Sequence, residues 1–224
     1  MVTIRRVRVI EQVRVFVDER GRFGSVLSIV LDSADLADDV CGSIARQAAT
    51  SETVFIDDAE AGNVRIFTPA GRIPFAGYPL VGAGWFLHRH GAPVGTLTTD
   101  TASVTVVVEE DECSIVAPAG RGNPWKLVEC ATPADVLAAD SGGPGRHDYL
   151  WAWEDPDLGT VRARAFASAS GTVEDEATGS SAIELCAALG RALTIRQGRG
   201  SLIRVTPVAA GIRLSGRVVA VEVG

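Results

Sequence analysis

Three consecutive carboxylates, Glu174, Asp175 and Glu176, stand just before a Thr-Gly-Ser-Ser turn and a predicted helix. One polar side chain is enough to cap a helix start, so this run holds more acid than the backbone requires. Acids at this position can complement the helix dipole, and a buried carboxyl can also work as a general acid or base. The residues alone leave both interpretations open.

A fourth carboxylate, Glu52, follows the first predicted helix and opens a predicted strand. Because side chains alternate along a strand, Glu52 shares a face with Val54 and Ile56 and can point from the strand end into a cleft. Burial there would raise its pKa towards neutrality and make it a useful base. The alternative is a solvated glutamate at a strand start.

Two glycines, Gly77 and Gly179, introduce predicted helices in a repeated arrangement. The strand "RIFTP" precedes the first and the strand "RARAFAS" precedes the second, so each half of the chain contains strand, turn, glycine and helix. Helix N-termini carry unpaired N–H groups, and a glycine lets a ligand approach them. Facing each other across a cleft, the two starts would bind a small carboxylate; otherwise each glycine only makes a tight turn.

The remaining pattern predicts an α+β fold. Helices are predicted at about 34 to 49, opening with Ser33, over "YPLVGAGWFLHRHG", and from the acidic run to Gly190. The repetition predicts two similar lobes, about residues 1–109 and 112–224, with a boundary at the acidic turn "EEDE". Alternating apolar residues predict strands at "VRVFVDE", "SVLSIVLD", "TVFID", "VRIFTP", "SVTVVVEE", "CSIVAPA", "VRARAFA", "SLIRVTP" and "IRLSGRVVAVEV".

Composition and charge exclude several classes of protein. The 224 residues are 46% hydrophobic and 22% charged, as in globular domains. The 28 acidic and 21 basic residues give a net charge of −7 without a basic stripe, which argues against nucleic-acid binding. No apolar run approaches the roughly 20 residues that span a bilayer, and the first residues lack the apolar block of a signal peptide. We therefore expect a cytoplasmic protein that binds neither nucleic acid nor membrane.

The cysteines and histidines predict no metal site. No C-x-x-C pair occurs, and the histidines show no metal-ligand spacing linked to a carboxylate, so reduced and mostly buried thiols are expected. The cysteines are Cys41, Cys113, Cys130 and Cys186, and the histidines are His88, His90 and His147.

Three motifs in order carry a resemblance to a known family. "ETVFI" at 52–56, "VRIFTPAGRIPFAGYP" at 64–79 and "EDEATGSSA" at 174–182 resemble the PhzF family, the phenazine-biosynthesis-like isomerases. The tail "QGRGSLIRV" followed by "GIRLSGRVVAVEVG" is similar to the family's C-terminal strands. The resemblance covers nearly the whole chain.

The resemblance implies a diaminopimelate epimerase-like fold. Each lobe would be a curved, mostly antiparallel sheet or barrel around a central helix, with the active site in the cleft between the lobes. The family's members work without metal or organic cofactor, move a proton on a small carboxylate-bearing substrate, and commonly form homodimers. For this chain it further suggests a role in the biosynthesis of secondary metabolites such as antibiotics.

The resemblance also implies roles for individual residues. The proton-shuttling glutamate falls on Glu52, and the acid that positions or protonates the substrate falls on Asp175. Glu174 and Glu176 would then be solvated neighbours of the working acid. The substrate carboxylate would be held at the two helix starts by Gly77, Thr178, Gly179 and Ser180.

The chain departs from the family pattern at several positions. Tyr78 replaces a histidine; a phenol, with a pKa of about 10, donates a hydrogen bond near neutral pH but does not exchange a proton as imidazole does. Ser25 and Val26 replace an Asn-Pro pair. The second lobe is also shortened around 120–160, a Gly- and Pro-containing stretch with three tryptophans that are interpreted as core or cleft wall: Trp125, Trp151 and Trp153.

Three functions are consistent with these observations. The leading one is a cofactor-independent isomerase in which Glu52, Asp175 and Tyr78 form the catalytic group. The second is an amino-acid or hydroxy-acid epimerase or racemase that uses the two acids on opposite faces of an α-carbon. The third is a carboxylate-binding protein that has lost catalysis. A two-cysteine racemase is disfavoured, because Cys41 and Cys186 lie inside predicted helices rather than at helix starts.

Overall fold

The computed structural model describes residues 10–118, 124–170 and 172–221. The first half contains β1 (Ile10–Val17), β2 (Ser25–Val30), α1 (Asp38–Ala48), β3 (Glu52–Asp58), β4 (Asn63–Thr68), β5 (Gly71–Ile73), α2 (Gly77–Arg89), β6 (Thr96–Thr98), β7 (Ser103–Glu109) and β8 (Glu112–Ala117). The second contains β9 (Lys126–Glu129), α3 (Pro133–Ala138), β10 (Asp148–Asp155), β11 (Thr160–Ala167), β12 (Thr172–Asp175), α4 (Gly179–Leu189), β13 (Leu193–Gln197), β14 (Ser201–Val208) and β15 (Gly211–Ala220).

Eight strands form a closed ring around α2. Their order is β1-β2-β3-β4-β6-β7-β8-β15, and β15 pairs with β1 to close the ring. Every residue of α2 from Gly77 to Leu87 is buried. Small residues allow this close packing: a Cβ on Gly82 would lie only 2.5 Å from Leu27 and 2.8 Å from Val15. The helix is therefore the core of a small barrel.

The sheet continues beyond the ring into the second half. From β15 the order runs β14-β13-β11-β10-β9, and β12 pairs with β11. Helix α4 packs against β14 and β15, and α3 packs against β10 and β11. The prediction of an α+β fold, with curved and mostly antiparallel sheet around central helices, is confirmed. The division into two lobes, 1–109 and 112–224, stays a prediction. Two strands of the predicted second lobe, β8 and β15, complete the ring formed by the first half of the chain.

Strand β3 separates two clusters of buried side chains, and this arrangement sets the direction of Glu52. Val54 and Ile56 belong to the main core inside the ring, whereas Phe55 packs outward beneath α1, edge to face with Phe67 at 5.2 Å. Because strand side chains alternate, the side chain of Glu52 lies on the inner face, at the strand's first position.

The first helix begins later than predicted. It starts at Asp38 rather than near residue 34, and its N-cap, Ala37, makes no side-chain capping bond. The predicted cap, Ser33, instead donates its hydroxyl to Oδ1 of Asp57 at 2.8 Å, and its carbonyl accepts from Arg65. These bonds hold residue 33 against β3 and β4. The helix therefore begins only after the chain has moved away from the sheet.

The other element predictions are largely correct. The second and third helices are found, and Gly190 ends α4 in the left-handed conformation with φ of 64°. All the stretches predicted as strands overlap strands, but β5, β6, β9, β10, β12 and β13 were missed. The cysteines are free, three buried and Cys130 partly buried, as expected. None of the helices that the structure describes has the length and apolar character needed to span a lipid bilayer.

Candidate active site

The starts of α2 and α4 lie against each other. A Cβ on Gly179 would be 3.1 Å from the backbone nitrogen of Tyr78 and 3.5 Å from the carbonyl carbon of Gly77. Neither N-cap residue, Ala76 or Thr178, makes a side-chain capping bond. First-turn N–H groups therefore have no capping acceptor at either start, and both ends carry partial positive charge. The structure brings Gly77 and Gly179 together as one feature.

Glu52 and Tyr78 form a short hydrogen bond beside these helix starts. The phenol of Tyr78 donates to Oε2 of Glu52 at 2.5 Å. Burial, followed by the charge of Glu52, raises the pKa of Tyr78 well above its ordinary value. Tyr78 therefore keeps its proton and acts as a donor.

The pKa of Glu52 is raised to about 8. Burial is the main cause, and the negative charge of Asp175 adds to it, whereas the hydrogen bond from Tyr78 opposes both. A carboxyl with such a pKa is largely protonated at neutral pH, so Glu52 can donate a proton as well as accept one. Glu52 bonds to Tyr78 in the first turn of α2, and Asp175 bonds to Thr178, the N-cap of α4, so the contact between the two helix starts brings both acids to one site.

Asp175 ends β12, three residues before the N-cap of α4. Its pKa is raised to about 6, mainly by burial, while the hydroxyl of Thr178, which donates to Oδ2 at 2.6 Å, opposes the shift. Gln197 supports this arrangement, because its side-chain nitrogen donates to Oγ1 of Thr178 at 2.8 Å and to the carbonyl of Asp175 at 2.9 Å. The phenol of Tyr149 donates in turn to the amide oxygen of Gln197 at 3.1 Å.

The other two acids of the run are paired rather than solvated, which corrects the expectation from the sequence. Glu174 accepts two hydrogen bonds from Arg164, at 2.7 and 2.8 Å. Glu176 accepts from the hydroxyl of Ser201 at 2.7 Å and from the side chain of Arg199 at 3.1 Å. Among the described residues, Asp175 is the member of the run that has no arginine partner, so it is the acid left for chemistry.

Two of the predicted substrate contacts are already engaged within the protein. The hydroxyl of Thr178 is donated to Asp175, and its N–H donates to Gln197 at 3.3 Å, so Thr178 holds the acid. The Oγ of Ser180 accepts from the indole nitrogen of Trp125 at 3.0 Å. Ser180 lies in the first turn of α4, and its hydroxyl still has a proton to donate.

Sequence reasoning missed three residues that support Asp175. Ser25, noted only as a departure from the family pattern, is buried, donates to the carbonyl of Ala177 at 3.4 Å, and its hydroxyl also opposes the rise of the Asp175 pKa. Its position in the family's Asn-Pro motif was the available signal. Gln197 opens the C-terminal stretch "QGRGSLIRV" that resembles the family, but that resemblance assigned it no role, and Tyr149 lies in no motif; folding brings both to the site.

The site contains two carboxyl groups, and the charge of Asp175 helps to raise the pKa of Glu52. In the ranges that the structure describes, no three histidine, cysteine, aspartate or glutamate side chains gather to hold a metal ion. The surroundings raise the pKa of Glu52 to about 8 and that of Asp175 to about 6, so Asp175 loses its proton more readily than Glu52. One acid and one base are then present together at neutral pH.

A closed barrel joined to a second sheet is the architecture of the diaminopimelate epimerase-like fold. The family model for phenazine biosynthesis-like proteins, PhzC-PhzF, matches residues 13–119. Trans-2,3-dihydro-3-hydroxyanthranilate isomerase of Pseudomonas aeruginosa is 28% identical over 221 residues, covering 79% of this chain and 78% of that protein. The chain is therefore similar to the PhzF-type isomerases over most of its length.

Solved structures support the fold at low sequence identity. A phenazine biosynthesis protein of the PhzF family from Enterococcus faecalis superposes with a TM-score of 0.77 at 15% identity, covering 96% of this chain and 97% of that one. A hydroxyproline epimerase from Agrobacterium vitis gives a TM-score of 0.61 at 13% identity, covering 96% and 91%.

Proposed function

We propose that the protein is a cofactor-independent isomerase that moves a proton on a small carboxylate-bearing substrate, with Glu52 and Asp175 as its acid–base pair. The observation that carries this proposal is the position of two partly buried carboxyls, Glu52 bonded to Tyr78 and Asp175 bonded to Thr178, beside two uncapped helix starts. The surroundings raise the pKa of Glu52 to about 8 and that of Asp175 to about 6. Environments that separate the pKa values of two acids provide one donor and one acceptor at the same pH.

The helix starts would bind the substrate carboxylate. N–H groups at Gly77 and Gly179 and the hydroxyl of Ser180 are the proposed donors, and the two helix dipoles favour an anion there. Such a clamp orients the rest of the substrate towards Glu52 and Asp175 and fixes which carbon meets which acid. Tyr78 would orient Glu52 through its hydrogen bond.

The proton transfer follows from the pKa order. At neutral pH Asp175 holds the negative charge and Glu52 the proton, so Asp175 accepts a proton from a substrate C–H bond. The electron pair shifts through the unsaturated system, and the O–H of Glu52 delivers a proton to another carbon. The product is an isomer, and no oxidant or reductant is needed. The resemblance assigns the shuttle to Glu52 alone, whereas the pKa order favours Asp175 for the first transfer.

The first substrate to test is trans-2,3-dihydro-3-hydroxyanthranilate, because the P. aeruginosa relative is named for its isomerisation. This substrate would place the protein in the biosynthesis of a secondary metabolite. Proton NMR in deuterium oxide follows both isomerisation and deuterium uptake. Wild-type protein should catalyse both, and Glu52→Gln and Asp175→Asn should each lower turnover by about 10²-fold or more.

Glu60→Gln is a matched control for this experiment. It makes the same chemical change in the exposed turn after the same strand, far from the paired acids, and should leave turnover at the wild-type level. Wild-type turnover in Glu52→Gln would rule out the assignment of Glu52.

Two alternatives have different readouts. The likeness to a hydroxyproline epimerase fold favours inversion at an α-carbon as the second candidate, which chiral chromatography of amino or hydroxy acids would detect. The replacement of the family histidine by Tyr78 favours a binding role, which predicts saturable carboxylate binding without proton exchange. The homodimer and the cytoplasmic location stay predictions.

A further inference from the structure

Trp125 is attached to α4 at two points next to its N-terminus. The indole nitrogen donates to Oγ of Ser180 at 3.0 Å, and the backbone N–H donates to Oε2 of Glu184 at 2.8 Å. Ser180 and Glu184 are four residues apart, so they lie one turn apart on the same helix face. Trp125 therefore spans one turn of the helix whose start is the proposed carboxylate site.

The indole ring is held on its other sides as well. It stacks on the imidazole of His147 with centroids 3.9 Å apart and planes 19° apart, and it meets Tyr149 edge to face at 6.2 Å. The residue is only 9% exposed. These contacts restrict rotation of the ring, so the direction of its N–H bond is fixed relative to α4.

This contact determines what the hydroxyl of Ser180 can do. A serine hydroxyl has one proton to donate and two lone pairs. Because Oγ accepts from Trp125, the oxygen is turned towards the indole. Among the described residues, Trp125 is the only hydrogen-bond partner of the Ser180 side chain. The hydroxyl proton is thus free to be donated to an anion at the helix start, beside the N–H of Gly179.

We propose that Trp125 is a positioning residue that holds Ser180 as a hydrogen-bond donor to the substrate carboxylate. Trp125 does not touch the substrate in this scheme; it sets affinity for carboxylates through Ser180. The inference rests on the proposed function, because it places the carboxylate at the starts of α2 and α4.

A double-mutant cycle tests the coupling. The probe is 3-hydroxyanthranilate, a stable aromatic carboxylate, and its Kd is measured by isothermal titration calorimetry for wild type, Ser180→Ala, Trp125→Phe and the double variant. Losing a hydrogen bond to a charged group should weaken binding about 10-fold or more in Ser180→Ala, and about 3-fold or more in Trp125→Phe. The double variant should bind no more weakly than Ser180→Ala, because Trp125 acts through the hydroxyl.

Two further measurements separate positioning from a general structural role. Glu184→Gln keeps an oxygen acceptor for the backbone of Trp125 and should bind the probe as wild type does. With a turned-over substrate, Trp125→Phe should raise KM more than it lowers kcat, because Ser180 contributes mainly to holding the substrate carboxylate. In ¹⁵N-labelled protein, the indole N–H resonance of Trp125 should shift in Ser180→Ala, a test that needs no tryptophan variant to fold.

Each outcome decides the proposal. Wild-type affinity in Trp125→Phe, or additive losses in the double variant, would overturn it while leaving the carboxylate site intact. No binding by wild type would overturn it together with that site. If the probe affinities of the four proteins agree with the predicted double-mutant cycle but no substrate is isomerised, the positioning role is supported and the proposed reaction is rejected.

Discussion

Gly179 and Tyr78 meet backbone to backbone: a Cβ on Gly179 would lie 3.1 Å from the amide nitrogen of Tyr78 and 2.9 Å from Cδ2 of Leu214. A Cβ on Gly77 would meet Leu214 more closely, at 2.6 Å, but its nearest backbone neighbour is Gly179 at an ordinary 3.7 Å. The end of a leucine side chain can move, whereas the backbone of a helix start cannot move without displacing the site. The two glycines are therefore not equivalent.

Gly179→Ala should damage the site more than Gly77→Ala. Overpacking costs typically about 1–3 kcal/mol, and we expect Gly179→Ala to lie at the upper end and to weaken carboxylate binding, because it pushes the helix starts apart. Urea unfolding and calorimetry with 3-hydroxyanthranilate measure the two effects.

Leu214→Val provides the control, because it removes the atom that both added Cβ groups meet. It should offset a larger part of the cost of Gly77→Ala than of Gly179→Ala. If Leu214→Val restored the stability of both variants equally, the contact between the added Cβ and the backbone of Tyr78 would contribute nothing to the cost of Gly179→Ala.

Tyr78→Phe should move the upper limb of the pH profile. The hydrogen bond from Tyr78 lowers the pKa of Glu52, so its removal lets the pKa rise further above about 8. The upper apparent pKa of kcat/KM should therefore increase. Tyr149→Phe, which removes another buried phenol bonded to Gln197 instead, should leave that limb in place.

Thr178→Val should move the lower limb. Valine keeps the shape of threonine but removes the hydroxyl that opposes the rise of the Asp175 pKa, so the lower apparent pKa should increase from about 6. The loss of an acceptor for Gln197 should also cost about 1–3 kcal/mol of stability. Ser181→Ala, on the same helix but bonded to the carbonyl of Thr178, is the control for the pKa effect. An unmoved lower limb would contradict the role given to Thr178.

The raised pKa of Glu52 makes stability depend on pH. Its ordinary value is 4.5 and its value in the folded protein is about 8, so the folded state binds the proton more tightly than the unfolded state. This contribution to stability is fully present below pH 4.5 and is lost as the pH rises through about 8. Between pH 5 and 8.5, Glu52→Gln should gain stability relative to wild type by at least about 1 kcal/mol.

Urea unfolding of both proteins at the two pH values measures this difference, with Glu60→Gln as the exposed control. A constant difference between wild type and Glu52→Gln would show that the Glu52 carboxyl titrates normally. The expected gain would be stability that the active protein gives up to keep a reactive carboxyl partly buried.

Much of the candidate site was predictable because its residues are close together in short motifs. Glu52, Tyr78 and Asp175 were named from the sequence, and the structure brings them to one place. The surroundings of the two neighbouring acids were predicted less well. Glu174 and Glu176 were expected to be solvated, but Glu174 pairs with Arg164 of β11 and Glu176 accepts a hydrogen bond from Ser201 of β14. Those partners are distant in sequence, so the pairing depends on the sheet.

Three missed elements, β9, α3 and β10, lie in one stretch of the chain and share a physical cause. The stretch from Trp125 to Asp155 contains glycines, two prolines and only short apolar runs, so neither the alternation of a strand nor the period of a helix continues long enough to be detected. The strands of this stretch are stabilised by pairing with neighbouring strands. β9 pairs parallel with β10, and β10 pairs antiparallel with β11. The start of α1 was placed too early because the tie between Ser33 and Asp57 is also tertiary.

The pairing of β1 with β15 has a consequence for how the chain is made. Val13 lies opposite Ala220, and Val15 opposite Val218, so the last described strand closes a ring that the first one opens. On a ribosome, the ring around α2 cannot close until residue 220 has been synthesised and has emerged. Until then β1 presents an unpaired edge, and such edges invite association with other chains. A fragment that ends before β15 should therefore aggregate rather than fold as a separate half.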